Sequence, residues 1–469
     1  MEILIRIFSV FNTVLTAISA IYVYRSVFVA VGLFFTRKFP KTSENHKYAV
    51  LVAARNEEKV LKGLIDSIKK QDYPQDLITV FVVADNCIDK TAEVAVENGA
   101  VCYKRFDEKH RTKGFALQYL VSQIDKDYGV DSFEGYFIFD ADNVLKGDFI
   151  TRMNESFDAG EKIITSYRNT KNFGDNWISA SYGIHWLRTS RTEHRGRSFL
   201  RLATRIQGTG FLFASELIKD GWNYTSLTED RAFCADAVAK GYTISYNHDA
   251  EFYDEQPVSL SVAWVQRKRW ARGHLEAFVE TGHKLFMHIF LTHNIPYKRH
   301  DENGKLLPFH KRLAYNFRLR FMSFDMLSVV FPLSLIVTLQ RILTVALVLA
   351  SSYELSKTIV TGTADNVISF LGIGAYLSAN GINQHIITAF ILFSIWLLSL
   401  VISDIITAVY IFVMERKRIE KLPLYKKIWF SVTFPIFDII GRIVMVIALF
   451  KKADWIPTPH SINKSPSSD

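Results

Sequence analysis

The sequence predicts an α/β domain with a mostly parallel sheet, joined at both ends to helices that cross or lie on a membrane. Three observations support this prediction. Apolar strands alternate with amphipathic helices through residues 47–145. Four apolar stretches come near or exceed the roughly 20 residues that a helix needs to cross a bilayer. Basic residues concentrate beside those stretches, in 265–320 and 416–427, so the net charge of +9 indicates a membrane surface rather than a nucleic-acid face.

The alternating region places polar residues at the ends of its strands. Strands are predicted at KYAVLVAA, ITVFVVADN, AVCYKRF and GYFIFDADN, and helices at EEKVLKGLIDSIKKQ, KTAEVAVENG and KGFALQYLVSQI. Three of the strands end in the polar runs ARNEE, ADNCID and DADN. Because ligands bind beyond the carboxyl ends of parallel strands, these runs predict one common site at that edge of the sheet.

The apolar stretches set the expected membrane topology. They cover residues 7–35, 321–350, 386–413 and 429–450. The first has a signal peptide as its alternative, because AISA at 17–20 resembles a cleavage site, although apolar sequence resumes after Arg25. The fourth carries four interruptions inside its apolar run, Pro435, Asp438, Gly441 and Arg442. We therefore favour three spans plus an interfacial or re-entrant fourth element over four spans.

The distribution of lysine and arginine orients these helices. The segment 351–385 contains one basic residue, Lys357, whereas 414–428 contains six. The first segment is expected outside and the second inside, which makes residues 37–320 cytoplasmic. The three cysteines are widely spaced, without a disulfide framework or a zinc pattern, which fits a reducing compartment.

The chain is expected to divide into five parts. They are an N-terminal membrane helix (1–36), a cytoplasmic α/β domain (37–280), interfacial amphipathic helices (281–320), membrane and interfacial helices (321–450), and a cytoplasmic C-terminal segment (451–469). The part 281–320 mixes aromatic and basic residues, typical of helices on the inner leaflet, with an ordinary surface helix as the alternative. Asp325, Arg341 and Asp404 fall in or near the spans, where they either line a polymer path or pair between helices.

Two pairs of acidic residues are candidates for chemistry. Asp140 and Asp142 follow an apolar strand, and side chains at i and i+2 point to the same side, so both can reach one hard cation. Mg²⁺ or Mn²⁺ bound this way usually completes its shell with substrate phosphate oxygens, whereas the alternative is that these carboxylates cap the next helix. Glu229 and Asp230 follow Thr228, where they either begin a helix or supply a general base.

The stretch QRKRW adds groups of a different kind. Arg269 can neutralise a diphosphate, the face of Trp270 can stack on a sugar ring, and Gln266 can bind a hydroxyl or a phosphate oxygen. A metal site, a phosphate clamp, a carboxylate base and a stacking platform are together what glycosyl transfer from a nucleotide-sugar requires.

With these motifs in order, the chain resembles the membrane-embedded family 2 glycosyltransferases, the group of cellulose, hyaluronan and poly-N-acetylglucosamine synthases. The resemblance covers residues 45–280 and extends loosely to 460. It is strongest to the exopolysaccharide and capsule synthase branch, whose motifs are nearly repeated here as VVADNCID, FDADN, GTG, LTED and YDEQP. The resemblance implies a GT-A-type catalytic domain in the cytoplasm, and a multi-pass hexosyltransferase of the EC 2.4.1 type in the plasma membrane.

The resemblance also implies roles at the donor end of the site. Ala54 and Glu57 would cradle the nucleoside, and Asp85 would bind the uracil base. Lys113 matches a basic residue near the uridine diphosphate. Many relatives have two adjacent aspartates where this chain has Asp85 and Asn86, but the branch named above shares the asparagine.

The catalytic and metal roles follow from the same resemblance. Asp140 would lie near the ribose and the diphosphate, with Asp142 as the principal metal ligand for Mg²⁺ or Mn²⁺. Asp230 would be the catalytic base of the TED motif, and Arg269 would bind the diphosphate.

At the acceptor end, the resemblance places Trp270 beneath the acceptor sugar. It also implies acceptor contacts for Gln266, Glu229 and the loop formed by Gly208, Thr209 and Gly210. The phenylalanine-valine-threonine gating motif of bacterial cellulose synthases is absent. DWIPTPH, at 454–460, occupies a place like the gating loop of hyaluronan synthases, through Trp455, Thr458 and His460; the alternative is an unstructured tail with an interfacial tryptophan.

Two functions agree with these features, and a third does not. The first is processive polymerisation of a UDP-sugar, with UDP-glucose favoured, onto a growing glycan that leaves through the membrane. Three spans make a thin channel, so completing it calls for a second copy of the chain or for the interfacial elements. The second function is addition of one sugar to a lipid-linked acceptor. The third, a transporter with a degenerate nucleotide-binding domain, predicts broken motifs, and all of them are intact.

Overall fold

The structure is a computed structural model, and it describes residues 2–290, 306–331, 333–350 and 384–451. Helices Glu2–Ile21 (α1) and Arg25–Phe34 (α2) precede the α/β domain. The strands of the domain are Tyr48–Ala54 (β1), Ile78–Asp85 (β2), Val101–Arg105 (β3), Gly135–Asp140 (β4), Val144–Leu145 (β5), Ile163–Thr170 (β6), Phe211–Ala214 (β7) and Ser245–Asp254 (β8). Its helices are Leu61–Lys69 (α3), Thr91–Glu97 (α4), Lys113–Tyr128 (α5), Phe149–Asp158 (α6), Trp177–Thr189 (α7), Arg195–Phe199 (α8) and Glu229–Ala239 (α9). The helices that follow are Leu260–Phe290 (α10), Phe309–Val330 (α11), Leu333–Ala350 (α12), Gln384–Met414 (α13) and Leu424–Phe450 (α14).

Within the described residues, eight strands form one sheet in the order β3-β2-β1-β4-β7-β6-β8-β5. β1 is parallel to β2 and β4, β2 is parallel to β3, and β6 is parallel to β8. β7 is antiparallel to both of its neighbours, and the short β5 is antiparallel to β8. The predicted mostly parallel sheet is therefore confirmed. Its polar strand ends, at β1, β2 and β4, meet at one edge.

Helices cover both faces of the sheet, which explains why its central strands are apolar throughout. On one face, Leu117 and Leu120 of α5 and Phe233 of α9 belong to the apolar core. On the other face, Leu64 of α3 and Phe149 of α6 belong to a second core. All five side chains are fully buried. Burying a side chain of this size contributes about 1.5–3 kcal/mol, so the two layers hold the strand ends in fixed positions.

The QRKRW motif lies within α10, a single helix of 31 residues. The domain boundary expected after residue 280 falls inside this helix, which continues to Phe290. Helix α10 packs against α9, α11 and α14, so it joins the α/β domain to the apolar helices.

Among the described residues, three helices are long and apolar enough to cross a membrane: Arg6–Phe34, Ala389–Met414 and Leu424–Phe450. The stretch 321–350, expected as one span, is divided between α11 and α12, which are bent by 62° relative to each other. The stretch 429–450, expected in the interface, lies in the continuous helix α14. The two charged residues among its four interruptions, Asp438 and Arg442, form an ion pair at 3.0 Å one helical turn apart. This pairing reduces the free-energy cost of burying the two charges.

The charged residues expected in the spans have different surroundings. Asp325 of α11 accepts hydrogen bonds from Arg197 at 2.7 Å and from the Tyr24 hydroxyl at 2.8 Å. Arg341 is exposed. Asp404 of α13 is buried and lines the cavity described below. Pairing between elements therefore accounts for Asp325, and Asp404 also has a charged neighbour on another helix, Arg188 of α7 at 4.0 Å.

Candidate active site

A cavity of about 650 Å³ lies at the carboxyl ends of β1, β2 and β4 and extends between the apolar helices. Twelve residues predicted from the sequence line it: Ala54, Glu57, Asp85, Lys113, Asp140, Asp142, Gly208, Glu229, Asp230, Gln266, Arg269 and Trp270. Thr209 and Gly210 lie behind its wall, and Trp455, Thr458 and His460 lie outside the described residues. The three polar strand ends, the TED motif and QRKRW therefore share one space.

The end of the cavity next to β2 is built around Asp85, which is buried. Arg105 donates to Asp85 Oδ1 at 2.6 Å, and Arg55 donates to Asp85 Oδ2. Asp85 was predicted as a contact for the uracil base, but neither arginine was singled out from the sequence. A nucleobase bound at this end would contact a carboxylate whose two oxygens each already accept a hydrogen bond from a guanidinium group.

Lys113, at the start of α5, joins three parts of the site. Its Nζ donates to Asp140 Oδ1 and, over 2.9 Å, to the carbonyl of Gly208, and it lies 4.0 Å from Glu229 Oε1. Burial lowers the pKa of Lys113, but Asp140 and Glu229 outweigh this effect and raise the pKa above its ordinary value. The ammonium group therefore stays charged beside the strand end, the glycine loop and the TED motif.

The loop 207–210 braces the end of β4. The backbone N–H of Asp140 donates to Thr209 Oγ1 at 2.9 Å, and this hydroxyl donates to Asn143. Gly208 and Gly210 have positive φ values of 81° and 67°, which favour glycine. A Cβ at Gly208 would lie 4.0 Å from Asp230 Oδ2, so the loop passes close to the predicted base. Thr209 therefore supports Asp140, and the backbone N–H of Gly210 donates to the Ile138 carbonyl of β4 at 2.9 Å.

Asp142 is a carboxylate that fits a divalent cation. Its Oδ2 accepts from the backbone N–H of Glu255 at 2.9 Å, and its Oδ1 accepts from Asn143 Nδ2 at 3.3 Å. Carboxylate oxygens are the ligands that Mg²⁺ and Mn²⁺ commonly take from proteins. Burial raises the pKa of Asp254 to about 6, an effect that Arg168 opposes and that Asp142 and Asp140 reinforce.

A cation at this position would take only part of its ligands from the protein. Among the described residues, no group of three or more histidine, cysteine or acidic side chains is arranged to hold a metal ion. Mg²⁺ and Mn²⁺ are commonly held by one or two carboxylates, with phosphate oxygens and water completing the shell. Asp142 and Asp140 fit that mode, in which Asp140 also keeps its contact with Lys113.

Glu229 and Asp230 begin α9, and the pKa values of both carboxyl groups are raised in this cavity. Burial raises the pKa of Glu229 to about 7, an effect that Lys113 opposes and Asp230 reinforces. Burial also raises the pKa of Asp230, against the effect of Arg231. Thr228 precedes the helix but makes no side-chain cap bond. A carboxylate with a raised pKa is a stronger base than an exposed one, which suits proton abstraction.

Trp270 lies on α10 among aromatic side chains. Its ring centroid is 5.5 Å from that of Trp186 and 5.9 Å from that of Tyr182, both in edge-on geometry. The Arg168 guanidinium lies 4.0 Å over the Trp186 ring. These contacts fix the orientation of the indole at the cavity wall.

Four buried polar atoms around the cavity have no hydrogen-bond partner among the described residues. They are Gln207 Nε2, Thr228 Oγ1, Gln266 Oε1 and Asp404 Oδ2. All four residues line the cavity. Leaving such atoms unpaired costs about 1–3 kcal/mol each, so a ligand with several hydroxyl groups, or ordered water, is expected to satisfy them.

The far end of the cavity lies between α13 and α14. Its polar lining there comes from Ser403, Asp404, Asp438 and Arg442, and Arg188 of α7 lies 4.0 Å from Asp404. Charged side chains at the depth of apolar helices usually face protein or water. The site is therefore continuous from the sheet to the apolar helices.

Sequence reasoning missed a second layer behind the predicted residues. Arg168 of β6 donates to Asp254 Oδ2 at 2.7 Å, and Lys171 donates to the carbonyl of Asp142 at 2.6 Å. Asp254 belongs to the motif YDEQP, which carried the family resemblance but was given no role. Arg168 and Lys171 belong to no motif, so nothing local in the sequence identified them.

Comparisons with known proteins agree with this geometry. Residues 46–273 match the model of a family described as glycosyltransferase like family 2. The probable glycosyltransferase YdaM of Bacillus subtilis is 25% identical over 269 residues, which are 51% of this chain and 59% of that protein. The poly-beta-1,6-N-acetyl-D-glucosamine synthase of Staphylococcus epidermidis is 26% identical over 235 residues, which are 49% of this chain and 55% of that protein.

A glycolipid synthase is similar to the same degree. The beta-monoglucosyldiacylglycerol synthase of Nostoc sp. is 24% identical over 246 residues, which are 50% of this chain and 50% of that protein. The chain thus spans between 50% and 59% of the length of these relatives.

One solved structure shows the fold. The mannosyltransferase PcManGT from Pyrobaculum calidifontis, in complex with GDP-Man and Mn²⁺, aligns with a TM-score of 0.50 at 16% identity. The alignment covers 82% of this chain and 98% of that one. The α/β domain therefore has the predicted GT-A-type fold.

Proposed function

We propose that this chain, whose residues 46–273 form a glycosyltransferase family 2 domain, is an inverting hexosyltransferase that polymerises a UDP-sugar into a polysaccharide. The observation that carries the proposal is the single cavity shared by Asp142, Asp230, Arg269 and Trp270. These side chains supply a metal ligand, a base, a diphosphate clamp and a sugar platform. UDP-glucose is the favoured donor because the motifs resemble those of the family that includes the cellulose synthases.

The reaction is a single displacement at the anomeric carbon of the donor. Asp230 takes the proton of an acceptor hydroxyl as its oxygen forms the new glycosidic bond, and the bond to the diphosphate breaks. Arg269 would bind the departing diphosphate, and Lys113, which donates to Asp140, lines the same cavity. A divalent cation at Asp142 would neutralise further negative charge on the leaving group.

The acceptor binds in the part of the cavity that lies next to Trp270. A sugar ring stacked on Trp270 brings its hydroxyl towards Asp230, and the unpartnered atoms of Gln207 and Gln266 can bind neighbouring hydroxyls. The continuation past Asp404 gives the older units of a growing chain a polar path between α13 and α14. This continuity supports processive synthesis coupled to translocation.

The catalytic domain is proposed to face the cytoplasm of a plasma-membrane protein. The loop between α13 and α14 lies within the segment 414–428 that carries six basic residues. Arg418 of this loop lies 4.0 Å over the ring of Tyr167 in the α/β domain. The basic loop and the domain are therefore on the same side of the membrane.

Addition of one sugar to a lipid-linked acceptor remains the second candidate. The similarity to a glycolipid synthase of Nostoc favours it, and the opening of the cavity between apolar helices would also admit a lipid. This reaction uses the same donor and base, but it depends less on Trp270.

Product analysis decides between these functions. The purified chain in lipid nanodiscs is incubated with Mn²⁺ and a panel of radiolabelled nucleotide-sugars, and the products are sized and their linkage identified. We expect polymer from a UDP-sugar and none from Asp230→Asn, which should still bind UDP; loss of a general base lowers the rate by about 10²–10⁴-fold. One added sugar would support the lipid acceptor instead. Normal turnover by Asp230→Asn would refute the base assignment.

A further inference from the structure

The loop 415–423, which joins α13 to α14 and is called the inner loop below, is docked on the sheet. Glu415 Oε2 accepts a hydrogen bond from the buried Tyr167 hydroxyl at 2.9 Å. Ile419 and Leu422 belong to the same apolar cluster as Tyr167. The inner loop therefore makes a tertiary contact with β6 in addition to connecting two apolar helices.

Arg418 is the residue of the inner loop that holds both β6 and β8. Its guanidinium lies 4.0 Å over the Tyr167 ring, donates to the His248 carbonyl at 3.1 Å, and lies 3.8 Å from Glu251 Oε2. Its own carbonyl accepts from Asn169 Nδ2 at 2.8 Å. Arg418 thus contacts two residues on each of the parallel strands.

The contact on β8 is made at an irregularity of the sheet. Asn247 pairs with Ser166, but the next pair in the register is Glu251 with Tyr167, so residues 248–250 form a bulge. Bulges bend a strand and redirect the residues that follow it. Arg418 binds the His248 carbonyl inside the bulge. This contact therefore sets the direction of the part of β8 that leads to Asp254.

The residues just beyond these two strands hold Asp142. Lys171 follows β6 and donates its Nζ to the Asp142 carbonyl at 2.6 Å. Glu255 follows β8 and donates its backbone N–H to Asp142 Oδ2 at 2.9 Å. The two strand ends are also joined to each other, because the Lys171 N–H donates to the Asp254 carbonyl at 2.8 Å.

We propose that Arg418 is a positioning residue for Asp142, so that the packing of α13 and α14 sets the affinity of the donor site for its cation. This inference rests on the proposed function, in which Asp142 is the metal ligand. Groups that orient a metal ligand typically change metal affinity about 10–100-fold when they are removed. Arg418 acts through two strands, so its effect belongs at the lower end of that range.

Calorimetric titration of UDP binding against Mn²⁺ tests the proposal on the full chain in nanodiscs. Arg418→Gln removes the stacking and the ion pair, and we expect the Mn²⁺ concentration for half-maximal UDP binding to rise about tenfold. UDP binding without Mn²⁺ should not change. Arg416→Gln is the matched control, because it removes the same charge from an exposed position of the same loop, and it should behave as the wild type.

A conservative variant keeps the test decisive if Arg418→Gln does not fold. Arg418→Lys retains a positive charge and a donor for His248, but loses the planar group that stacks on Tyr167. A smaller increase in the required Mn²⁺ concentration is expected, and an unchanged value would overturn the proposal. Equal weakening of UDP binding with and without Mn²⁺, or a lower melting temperature alone, would also overturn it. A wild-type chain that binds no UDP at any Mn²⁺ concentration would instead refute the proposed donor, and this inference with it.

Discussion

The backbone N–H of Glu255 donates a hydrogen bond to Asp142 Oδ2 over 2.9 Å. This contact fixes a carboxylate that follows β4 against the end of β8, two strands that are not neighbours in the sheet. Asn143 binds the other oxygen at 3.3 Å. The carboxylate is therefore oriented by the protein, and Asp142 lines the same cavity as the predicted base and platform.

Replacing Asp142 tests whether this oriented carboxylate binds the cation. Asp142→Ala should weaken Mn²⁺-dependent UDP binding at least tenfold, because the principal ligand is lost. UDP binding without Mn²⁺ should stay near that of the wild type, as measured by calorimetry. If Asp142→Ala keeps the full metal dependence of binding and transfer, the ligand role is wrong.

The pH dependence of transfer should report the carboxylates of the TED motif. The pKa of Glu229 is raised to about 7 and that of Asp230 is also raised. A base must be deprotonated, so kcat/KM should fall on the acid side at a higher pH than it would for an exposed aspartate. Asp230 raises the pKa of Glu229, so Glu229→Gln removes the carboxylate whose pKa is about 7 and should move the acid limb to lower pH, where Asp230 alone titrates. The pH profiles of kcat/KM for the two proteins check this; an unchanged or higher acid limb would contradict it.

Trp270 should matter for the acceptor and not for the donor. Trp270→Ala should leave Mn²⁺-dependent UDP binding unchanged and reduce transfer about tenfold, since an aromatic stack is worth about 0.5–1.5 kcal/mol beyond its buried area. Product length should shorten in the same variant. Trp270→Phe, which keeps a ring at the cavity wall, should retain more of both. A parallel loss of UDP binding in Trp270→Ala would assign the tryptophan to the donor instead.

Much of this site could be predicted from the sequence because its residues belong to local patterns. Asp140 and Asp142 follow an apolar strand, Asp230 begins a helix, and Trp270 lies four residues after Gln266 in one helix. Each of these signals lies within a few residues, and parallel strands bring their ends together at one edge. The mostly parallel sheet was predicted for the same reason, whereas its GT-A type was implied by the family resemblance.

The rest of the site depends on contacts between residues far apart in the chain. Arg168 reaches Asp254 across the β6–β8 pair, and Arg418 reaches His248 from the inner loop. The pairing of β7 with β4 and β6 in antiparallel orientation also has no local signature. Asp438 and Arg442 interrupt the apolar run 429–450 when its residues are read one by one, whereas in the structure they pair along one helix.

Gly210 tests the packing of the loop behind Asp140. It has a positive φ of 67°, and an added Cβ would collide with the ring of Phe252. Gly210→Ala should therefore lower the melting temperature through overpacking of about 1–3 kcal/mol, added to backbone strain of about 1–2 kcal/mol. Gly221→Ala is the control, because its φ is also positive, at 81°, but a Cβ there would meet nothing within 4 Å. Equal melting temperatures for the two variants would show that the Phe252 contact does not constrain the loop.

A crystal structure of the chain with UDP and Mn²⁺ bound tests whether the donor, the cation and the base share one cavity. We expect Asp142 to hold Mn²⁺ and Arg269 to contact the diphosphate, with Asp230 and Trp270 bordering the adjoining space. Binding of UDP and Mn²⁺ outside this cavity, or with Asp142 and Arg269 both out of contact with them, would contradict it.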